Sequence, residues 1–305
     1  MKRVALCFDI GGSKYNVGLV DSEGTILAQS IGKWTALTEE AILHDLFGCA
    51  DTILARHPEI RPVAAGATIP GLADRERGLW VEASFSGIRN FAVADCIGAH
   101  YRMPVFIDND AQACALAEKM FGCCKETNDF VYLTVSNGVG GAFVLDGRPY
   151  GGASQGAGEI GHCVVAEGGR PCGCGSRGCL EAYAAGPAIS KNYLELGGQP
   201  GRGGGAPSAK EIAERARLGE QTAIDTFRLE GEYLGRAVAF AVNLLNPEKV
   251  VIGGGVSLAF DLFGPSLNAT VREHIYRKAN SGLSIVPSVL GYNGGLYGAA
   301  VLAFS

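Results

Sequence analysis

The sequence is poor in charged residues and has no excess of positive charge. Charged residues make up 19% of the chain, and the net charge is −5. This balance gives no basic patch for nucleic acid or anionic lipid. No apolar run is long enough to span a membrane, and the N-terminus runs straight into polar and glycine residues, unlike a signal peptide. We therefore expect a cytoplasmic protein without nucleic-acid or membrane partners.

Cysteine is plentiful, but the cysteines do not form the pattern of a secreted disulfide scaffold. The chain has ten cysteines in 305 residues, and hydrophobic residues make up 47% of it. Disulfide scaffolds are short chains that cannot build a sufficient core, and this chain can build one. Its length exceeds the usual single core, so two domains are expected.

One short segment carries four possible metal ligands: His162, Cys172, Cys174 and Cys179. A Cys₃His set suits a closed tetrahedral zinc site with no open position for water, so the metal would be structural. The alternative is a group of redox-active or merely buried cysteines, and a nearby histidine of the right type favours zinc. Glu159 and Glu181 flank the segment, and their carboxylates could accept hydrogen bonds from hydroxyl groups.

The residue pattern repeats at the scale of a domain. Each half starts with a hairpin that has a glycine-rich turn and continues with helix and strand. In the first half the predicted elements are strands Val4–Phe8, Tyr15–Val20 and Thr25–Ser30, a helix over Thr38–Arg56 capped by Thr38, and strand Val63–Thr68. In the second half they are strand Val131–Val135, turn Ser136–Gly141, strand Ala142–Leu145, a helical region from Ser208 towards Asn246, strand Val250–Ile252, strand Leu283–Leu290 and helix Gly294–Phe304.

Three glycine-rich turns each follow an apolar strand: Asp9–Lys14, Ser136–Gly141 and Gly253–Gly255. Glycine lets backbone amides approach and cradle phosphates, and Asp9 could hold Mg²⁺. Each turn alone could be an ordinary hairpin turn, but the three together favour a nucleotide site. The segment Gly197–Gly205 lacks a phosphate-binding ending and is interpreted as a flexible loop.

Acidic residues stand where a predicted strand, Val105–Asp110, meets a predicted helix, Ala111–Phe121. One of these acids could simply cap the helix. The other interpretation is that Asp110 is a general base, because an alcohol attacking a γ-phosphate needs a carboxylate near its proton.

Together these motifs resemble the ROK family (repressor, open reading frame, kinase) of the sugar kinase, hexokinase and actin-like ATPase superfamily. The matching stretches are Val135–Phe143 with Gly152 and Gly158–His162, Asp9–Lys14, Asp108–Gln112, His162–Glu181, Gly253–Gly255 and Gly294–Ala300. The sequence departs from the family pattern at two places. The family usually has Thr where Asn137 stands, and its Asn-x-x-Gly-Trp stretch corresponds to Ser84–Ile88, which keeps only the glycine, Gly87.

The resemblance implies an α/β chain with the two-lobed actin-like ATPase and hexokinase fold, which is ribonuclease H-like and has an interlobe cleft. Residues 1–118 would form the small lobe, with helix 294–305 packing back on it, and residues 119–293 the large lobe with the zinc segment. The implied function is ATP-dependent phosphorylation of a hexose hydroxyl, O6 in a glucokinase. Alternatives are an N-acetylmannosamine, N-acetylglucosamine or fructose kinase. A homodimer is also implied.

The resemblance also assigns roles to residues. The catalytic base would be Asp110. The sugar would contact Gly71, Ser84, Gly87, Asn109, Glu159, His162 and Glu181. ATP and its Mg²⁺ would contact Asp9, Gly11, Gly12, Ser13, Lys14, Asn137, Gly138, Gly254 and Gly255. The structural zinc would be held by His162, Cys172, Cys174 and Cys179.

Two non-enzymatic functions compete with the kinase. A ROK transcriptional regulator needs a helix-turn-helix domain of roughly 60 residues, and only eight residues precede Asp9. A catalytically inactive sugar sensor would not need the full set of carboxylates, yet Asp9, Asp110, Glu159 and Glu181 are all present. Both observations favour the enzyme.

Overall fold

A computed structural model of the chain describes residues 2–83 and 86–305. In this part of the chain the strands form two five-stranded sheets and one three-stranded sheet. The described strands are β1 (Val4–Ile10), β2 (Lys14–Asp21), β3 (Ile26–Lys33), β4 (Ala64–Ile69), β5 (Leu72–Asp74), β6 (Leu79–Glu82), β7 (Arg89–Phe91), β8 (Val105–Asn109), β9 (Phe130–Val135), β10 (Val139–Leu145), β11 (Arg148–Pro149), β12 (Lys249–Gly253) and β13 (Ser284–Pro287).

The helices alternate with these strands, as in other α/β chains. The described α-helices are α1 (Glu39–Arg56), α2 (Val93–Tyr101), α3 (Asp110–Met120), α4 (Glu181–Ala184), α5 (Gly186–Glu195), α6 (Ala209–Arg217), α7 (Gln221–Leu245), α8 (Phe260–His274) and α9 (Gly294–Phe304). Among the described residues no helix is both long enough and apolar enough to cross a membrane.

The described residues form two compact units, each made of separate stretches of chain. Unit 1 comprises the described residues of Met1–Glu126 together with Pro149–Ala157 and Tyr292–Ser305. Unit 2 comprises Thr127–Arg148 and Gly158–Gly291. The short stretch Pro149–Ala157 therefore belongs to unit 1, although the chain on both sides of it belongs to unit 2.

The two five-stranded sheets have the same topology. Their strand orders are β3-β2-β1-β4-β8 and β11-β10-β9-β12-β13. In both, the first hairpin is antiparallel and the later strands join in parallel: β1 pairs with β4 and β4 with β8, while β9 pairs with β12 and β12 with β13. The predicted internal repeat is confirmed at the level of strand order.

Helix α1 begins and ends where the sequence predicts. The Thr38 hydroxyl accepts a hydrogen bond from the Ala41 amide at 3.3 Å, which satisfies one of the free donors of the first turn. Glu39 and Glu40 place negative charge at the N-terminal end of the helix dipole. Ile42 and Leu46 are fully buried in the core of unit 1.

Helix α9 completes the core of unit 1 by packing against β1 and β4. Its apolar side chains form a cluster with Ala5, Cys7, Val20 and Ala64. The helix backbone comes so close to β4 that a Cβ on Gly66 would lie 1.8 Å from the carbonyl oxygen of Ala299. Only glycine fits at this position in β4.

The core of unit 2 is organised by the long helix α7. Glycine residues allow close packing against α8, since a Cβ on Gly231 would lie 2.3 Å from the carbonyl oxygen of Phe263. The buried face of α7 also contains a carboxyl group, Glu230, which is 0% exposed. Neither oxygen of Glu230 has a hydrogen-bond partner among the described residues. Burial raises the pKa of Glu230 well above its usual value.

Most of the predicted strands and several helices have different bounds in the structure. The turn after β9 is shorter than predicted, because β10 begins at Val139 and includes two of its glycines. The predicted helical region after Ser208 is two helices, α6 and α7, with Leu218–Glu220 between them. Helix α3 begins one residue early, at Asp110, and the last strand of unit 2 covers only Ser284–Pro287.

Candidate active site and metal centre

The polar residues predicted for unit 1 lie at one edge of its sheet. In the parallel register Asp9 of β1 is opposite Thr68 of β4, and Thr68 is opposite Asp108 of β8. Open α/β sheets bind ligands at the carboxyl ends of their parallel strands. The register therefore brings Asp9 and the Asp108–Asp110 stretch to the same edge.

Asp9 is a partly buried residue near the end of β1. Burial raises its pKa to about 6, although a hydrogen bond from Thr68 and the positive charge of Lys14 oppose the shift. The Thr68 hydroxyl donates to Asp9 Oδ1 at 3.1 Å. A Cβ on Gly295 would lie 2.2 Å from the same oxygen, so the first turn of α9 closely approaches Asp9. Nothing in the local pattern around Asp9 predicts this contact with α9.

The turn after β1 is tight and projects polar groups outward. The Gly11 amide donates to the Lys14 carbonyl oxygen at 3.0 Å. Gly12 is partly exposed, whereas Ser13 and Lys14 are exposed. Lys14 Nζ lies 5.3 Å from the centre of the Tyr292 ring, which places its cation over an aromatic face.

Asn109 and Asp110 stand at the junction of β8 and α3. The N-cap is Asn109, whose Oδ1 accepts from the amides of Ala111 at 2.9 Å and Gln112 at 3.3 Å. The prediction that an acid caps this helix is therefore wrong. Asp110 is the first helical residue, and its Oδ1 accepts from the Ala111 amide at 2.8 Å. Its negative charge lies in the first turn, where the helix dipole favours it.

The same asparagine connects α3 to another predicted sugar-binding residue. Asn109 Nδ2 donates to the Gly71 carbonyl oxygen at 2.9 Å. Gly71 has φ +83°, and a Cβ there would lie 2.2 Å from the Glu82 carbonyl oxygen, so glycine is required. Among the other predicted sugar ligands, Gly87 is exposed, and Ser84 lies outside the described residues.

In unit 2 two of the predicted nucleotide turns lie side by side. The first is now limited to Ser136–Gly138, and the Ser136 amide donates to the Gly138 carbonyl oxygen at 2.9 Å. Gly254 has φ +79°, and a Cβ there would lie 2.3 Å from the Val135 carbonyl oxygen, directly before that turn. Asn137 is exposed, and Gly255 is partly exposed.

Glu181 lies against the first of these turns. Its Oε2 accepts from the Val139 amide at 3.0 Å. A Cβ on Gly138 would lie 2.6 Å from the same oxygen, so glycine leaves room for the carboxylate. A predicted sugar ligand therefore contacts a predicted phosphate turn, although the two are more than forty residues apart in the sequence.

The stretch Glu159–His162, which precedes the cysteines in the sequence, packs on β10. A short 3₁₀ helix, Ile160–His162, follows Glu159. A Cβ on Gly161 would lie 1.9 Å from the Val139 carbonyl oxygen, so this helix touches the strand backbone. Glu159 is exposed, and its Oε2 lies 3.7 Å from His162 Nε2.

The four predicted metal ligands lie together. One ligand atom from each of His162, Cys172, Cys174 and Cys179 lies within 4.8 Å of the others. Cys174 Sγ and Cys179 Sγ are 3.7 Å apart, and Cys172 Sγ is 3.7 Å from His162 Nδ1. Tetrahedral zinc with Zn–S bonds of about 2.3 Å separates its sulfur ligands by about 3.8 Å. The donor set and its spacing therefore fit zinc.

Backbone hydrogen bonds and one arginine support the cysteine segment. The Cys172 amide donates to the Ser176 carbonyl oxygen at 2.9 Å, and a hydrogen bond with the Ser176 backbone lowers the pKa of Cys174. Arg170 stacks on the Tyr183 ring, with its guanidinium carbon 4.7 Å from the ring centre. Arg170 Nη1 also donates to the Ala182 carbonyl oxygen at 3.1 Å. No sequence spacing indicates this support by Arg170 and Tyr183.

Similarity to known proteins covers almost the whole chain. A sequence model described as the ROK family matches residues 5–305. A glucokinase of Thermotoga maritima is 34% identical, over 96% of this chain and 94% of that protein. The DNA-binding transcriptional dual regulator NagC of Escherichia coli is 28% identical, over 93% of this chain and 71% of that protein.

Structural similarity is equally extensive. A ROK family glucokinase from Streptomyces griseus, solved in complex with glucose and AMPPNP, superposes with a TM-score of 0.85 and 29% identity. The match covers 100% of this chain and 99% of that one. The predicted fold class, the two-lobed α/β fold of this family's kinases, is confirmed.

Proposed function

The chain belongs to the ROK family, and from that premise we propose that it is a sugar kinase. The proposed reaction transfers the γ-phosphoryl group of ATP to a hydroxyl group of a hexose, with O6 of glucose as the expected acceptor. The observation that carries the proposal is the geometry around Asp110. This carboxylate starts α3, directly after the residue that connects the helix to Gly71.

Asp110 is proposed as the general base. Phosphoryl transfer leaves the protein mainly positioning and electrostatic work, and the attacking hydroxyl must also lose its proton. A carboxylate on the first turn of a helix has a fixed backbone, and Asn109 caps that turn from the preceding position. The arrangement supports a base whose orientation does not depend on a flexible loop.

The sugar would be bound by Gly71, Asn109, Glu159, His162 and Glu181. Carboxylates accept hydrogen bonds from hydroxyl donors, and each offers up to four acceptor sites. Glu181 uses Oε2 for the Val139 amide, which holds the carboxylate in one orientation. Ser84 and Gly87 remain predicted ligands.

ATP would be bound by the glycine turns Gly11–Lys14, Asn137–Gly138 and Gly254–Gly255, whose backbones can approach phosphates closely. Mg²⁺ accompanies ATP, and Asp9 would hold it, because hard cations take carboxylate oxygens and their waters. When bound, the ion neutralises charge on the transferred phosphoryl group. The chain's own contribution at this place is a partly buried carboxyl group supported by Thr68.

Zinc is proposed as a structural ion on His162, Cys172, Cys174 and Cys179. A four-ligand site has no open position, so the ion would fold the segment and take no part in the reaction. His162 would then have two roles, because Nδ1 faces the sulfur atoms and Nε2 faces Glu159. A histidine bound through one nitrogen keeps the other for a substrate hydroxyl.

The Asp110→Asn variant tests this function. The substitution keeps the size of the side chain and removes its charge. We expect kcat to fall by about 100-fold or more, the usual worth of a positioned general base, while sugar affinity changes far less. Asp95→Asn is a matched control, because it removes an acid from the first turn of α2 and should leave kcat unchanged. Near-normal kcat in folded Asp110→Asn protein would refute the proposed mechanism.

The substrate is tested with a coupled ADP-release assay on glucose, fructose, mannose, N-acetylglucosamine and N-acetylmannosamine. We expect the highest kcat/KM for glucose. A higher value for fructose or an N-acetylhexosamine would select one of the alternative kinases. No turnover with any of the five sugars would favour a regulator or a sensor.

The family resemblance also implies a homodimer, and light scattering on the purified chain would test that oligomeric state.

A further inference from the structure

The Gln112 side chain connects α3 to the stretch Pro149–Ala157. It lies two residues after Asp110, is 6% exposed, and donates from Nε2 to the Ala157 carbonyl oxygen at 2.9 Å. A carbonyl oxygen only accepts hydrogen bonds, so the amide NH₂ group must face Ala157. The other amide atom, Oε1, is buried and has no partner among the described residues. The hydrogen bond to Ala157 is therefore the one that orients this side chain.

Ala157 lies where the chain passes from unit 1 to unit 2. It is the last residue of the unit 1 stretch Pro149–Ala157, and the chain continues in unit 2 with Gly158 and Glu159. Its own amide donates to the Gly151 carbonyl oxygen at 3.1 Å, which closes the stretch into a loop. Both polar backbone groups of Ala157 are thus held within unit 1, one by the loop and one by Gln112.

The backbone conformation of the next residue, Gly158, is also restricted. Gly158 has φ +102°, and a Cβ there would lie 2.3 Å from the Gly141 carbonyl oxygen of β10. No other residue fits this conformation without strain. The backbone that leads into Glu159 is therefore held by Gln112 through Ala157 on one side and by contact of Gly158 with β10 on the other.

We propose that Gln112 is a positioning residue for sugar binding, because its hydrogen bond to Ala157 fixes the backbone that presents Glu159 two residues later. The inference rests on the proposed function, in which Glu159 binds the sugar. Glu159 is exposed and gains no fixed position from burial. Its placement comes from the backbone and from the approach of its Oε2 to His162 Nε2. The His162 amide also donates to the Glu159 carbonyl oxygen at 3.0 Å, so Gln112 supplies one of several restraints on this backbone.

Two variants of Gln112 test the inference. Gln112→Met keeps the length of the side chain and the helix propensity but removes the donor. Gln112→Glu keeps the shape but turns an oxygen towards the Ala157 carbonyl. Asn280→Leu is the matched control, because Asn280 is 8% exposed and also donates to a backbone carbonyl, that of Tyr276 at 3.0 Å, far from the proposed ligands in the sequence.

Steady-state kinetics and hydrogen exchange are measured on all four proteins. Both Gln112 variants should raise KM for the sugar about fivefold or more, the factor for one net hydrogen bond, with kcat within about twofold. Amides of residues 151–159 should exchange faster, and those of α3 should not. Asn280→Leu should change neither KM nor exchange in that loop.

An unchanged sugar KM or unchanged exchange in residues 151–159 in folded Gln112→Met protein would overturn the inference. Wild-type behaviour of Gln112→Glu at alkaline pH would overturn it too, because the ionised carboxylate only accepts hydrogen bonds and the donor would then be dispensable. If the wild-type chain phosphorylates no sugar, the proposed function fails, and the inference about sugar binding fails with it. Hydrogen exchange can be measured without turnover, so it still shows separately whether Gln112 holds the stretch Pro149–Ala157.

Discussion

Replacing Glu230 by glutamine should stabilise the chain, and the gain should be larger at neutral pH than in mild acid. The carboxyl group is fully buried on α7, and neither oxygen has a partner in the described part of the chain. Burial raises its pKa well above the usual value, so the folded chain keeps the proton that the unfolded chain releases. The free energy of unfolding must therefore fall as pH rises above the pKa of the unfolded chain.

The size of the effect follows from proton linkage. An unfolded glutamate has a pKa of about 4.3, and each pH unit above it costs about 1.4 kcal/mol while the folded group stays protonated. Between about pH 5 and about pH 7 the accumulated cost is about 2.6 kcal/mol. Glutamine has the same shape and no proton to lose. The stability gained by Glu230→Gln should grow by up to that amount over the interval.

Urea unfolding of both proteins at the two pH values measures this difference. Glu232→Gln is a suitable control, because it alters a partly exposed carboxylate of the same helix that pairs with Arg228. The control should change stability by the same amount at both pH values. If the gain from Glu230→Gln were equally independent of pH, Glu230 would be ionised in the folded chain, and the argument from burial would be wrong.

Three further predictions concern the proposed site. Cys174→Ser should lose the single zinc per protomer and weaken sugar binding, as measured by elemental analysis and calorimetry; active protein without zinc would contradict the structural role. Gly138→Ala should raise KM for the sugar, because the new Cβ would displace the carboxylate of Glu181, whereas Gly205→Ala, in open space, should be neutral. KM for Mg-ATP should rise as pH falls below about 6, because Asp9 then becomes protonated and attracts Mg²⁺ less; a flat pH profile would exclude that role.

The elements that could be predicted from the sequence depend on local chemistry. Thr38 caps α1, and Ser208 caps α6 by accepting from the Glu211 amide at 3.2 Å, because these interactions lie within one helical turn. The metal ligands were predictable for a similar reason. Their residue types and spacing suit one ion, and they do lie together.

The features that could not be predicted from the sequence depend on contacts between distant parts of the chain. Gly141 was predicted to be part of a turn but belongs to β10, where a Cβ would lie 2.8 Å from the Gly158 carbonyl oxygen. A glycine needed for close packing looks the same in sequence as a glycine needed for a turn. The bonds from Glu181 to Val139 and from Gln112 to Ala157 join residues more than forty positions apart, and no local pattern reports them.

The packing of α9 has a consequence for how the chain is made. Strand β1 leaves the ribosome before unit 2 is made, yet it shares its core with α9, which follows unit 2 in the chain, because Ala5 and Cys7 pack against Leu296 and Ala299. Synthesis runs from the N-terminus, so the sequence of unit 2 is complete before unit 1 can close. Until then the face of β1 and β4 that α9 covers has no partner. A chain stopped before Leu296 would carry that apolar face permanently, and chaperones and proteases recognise such faces.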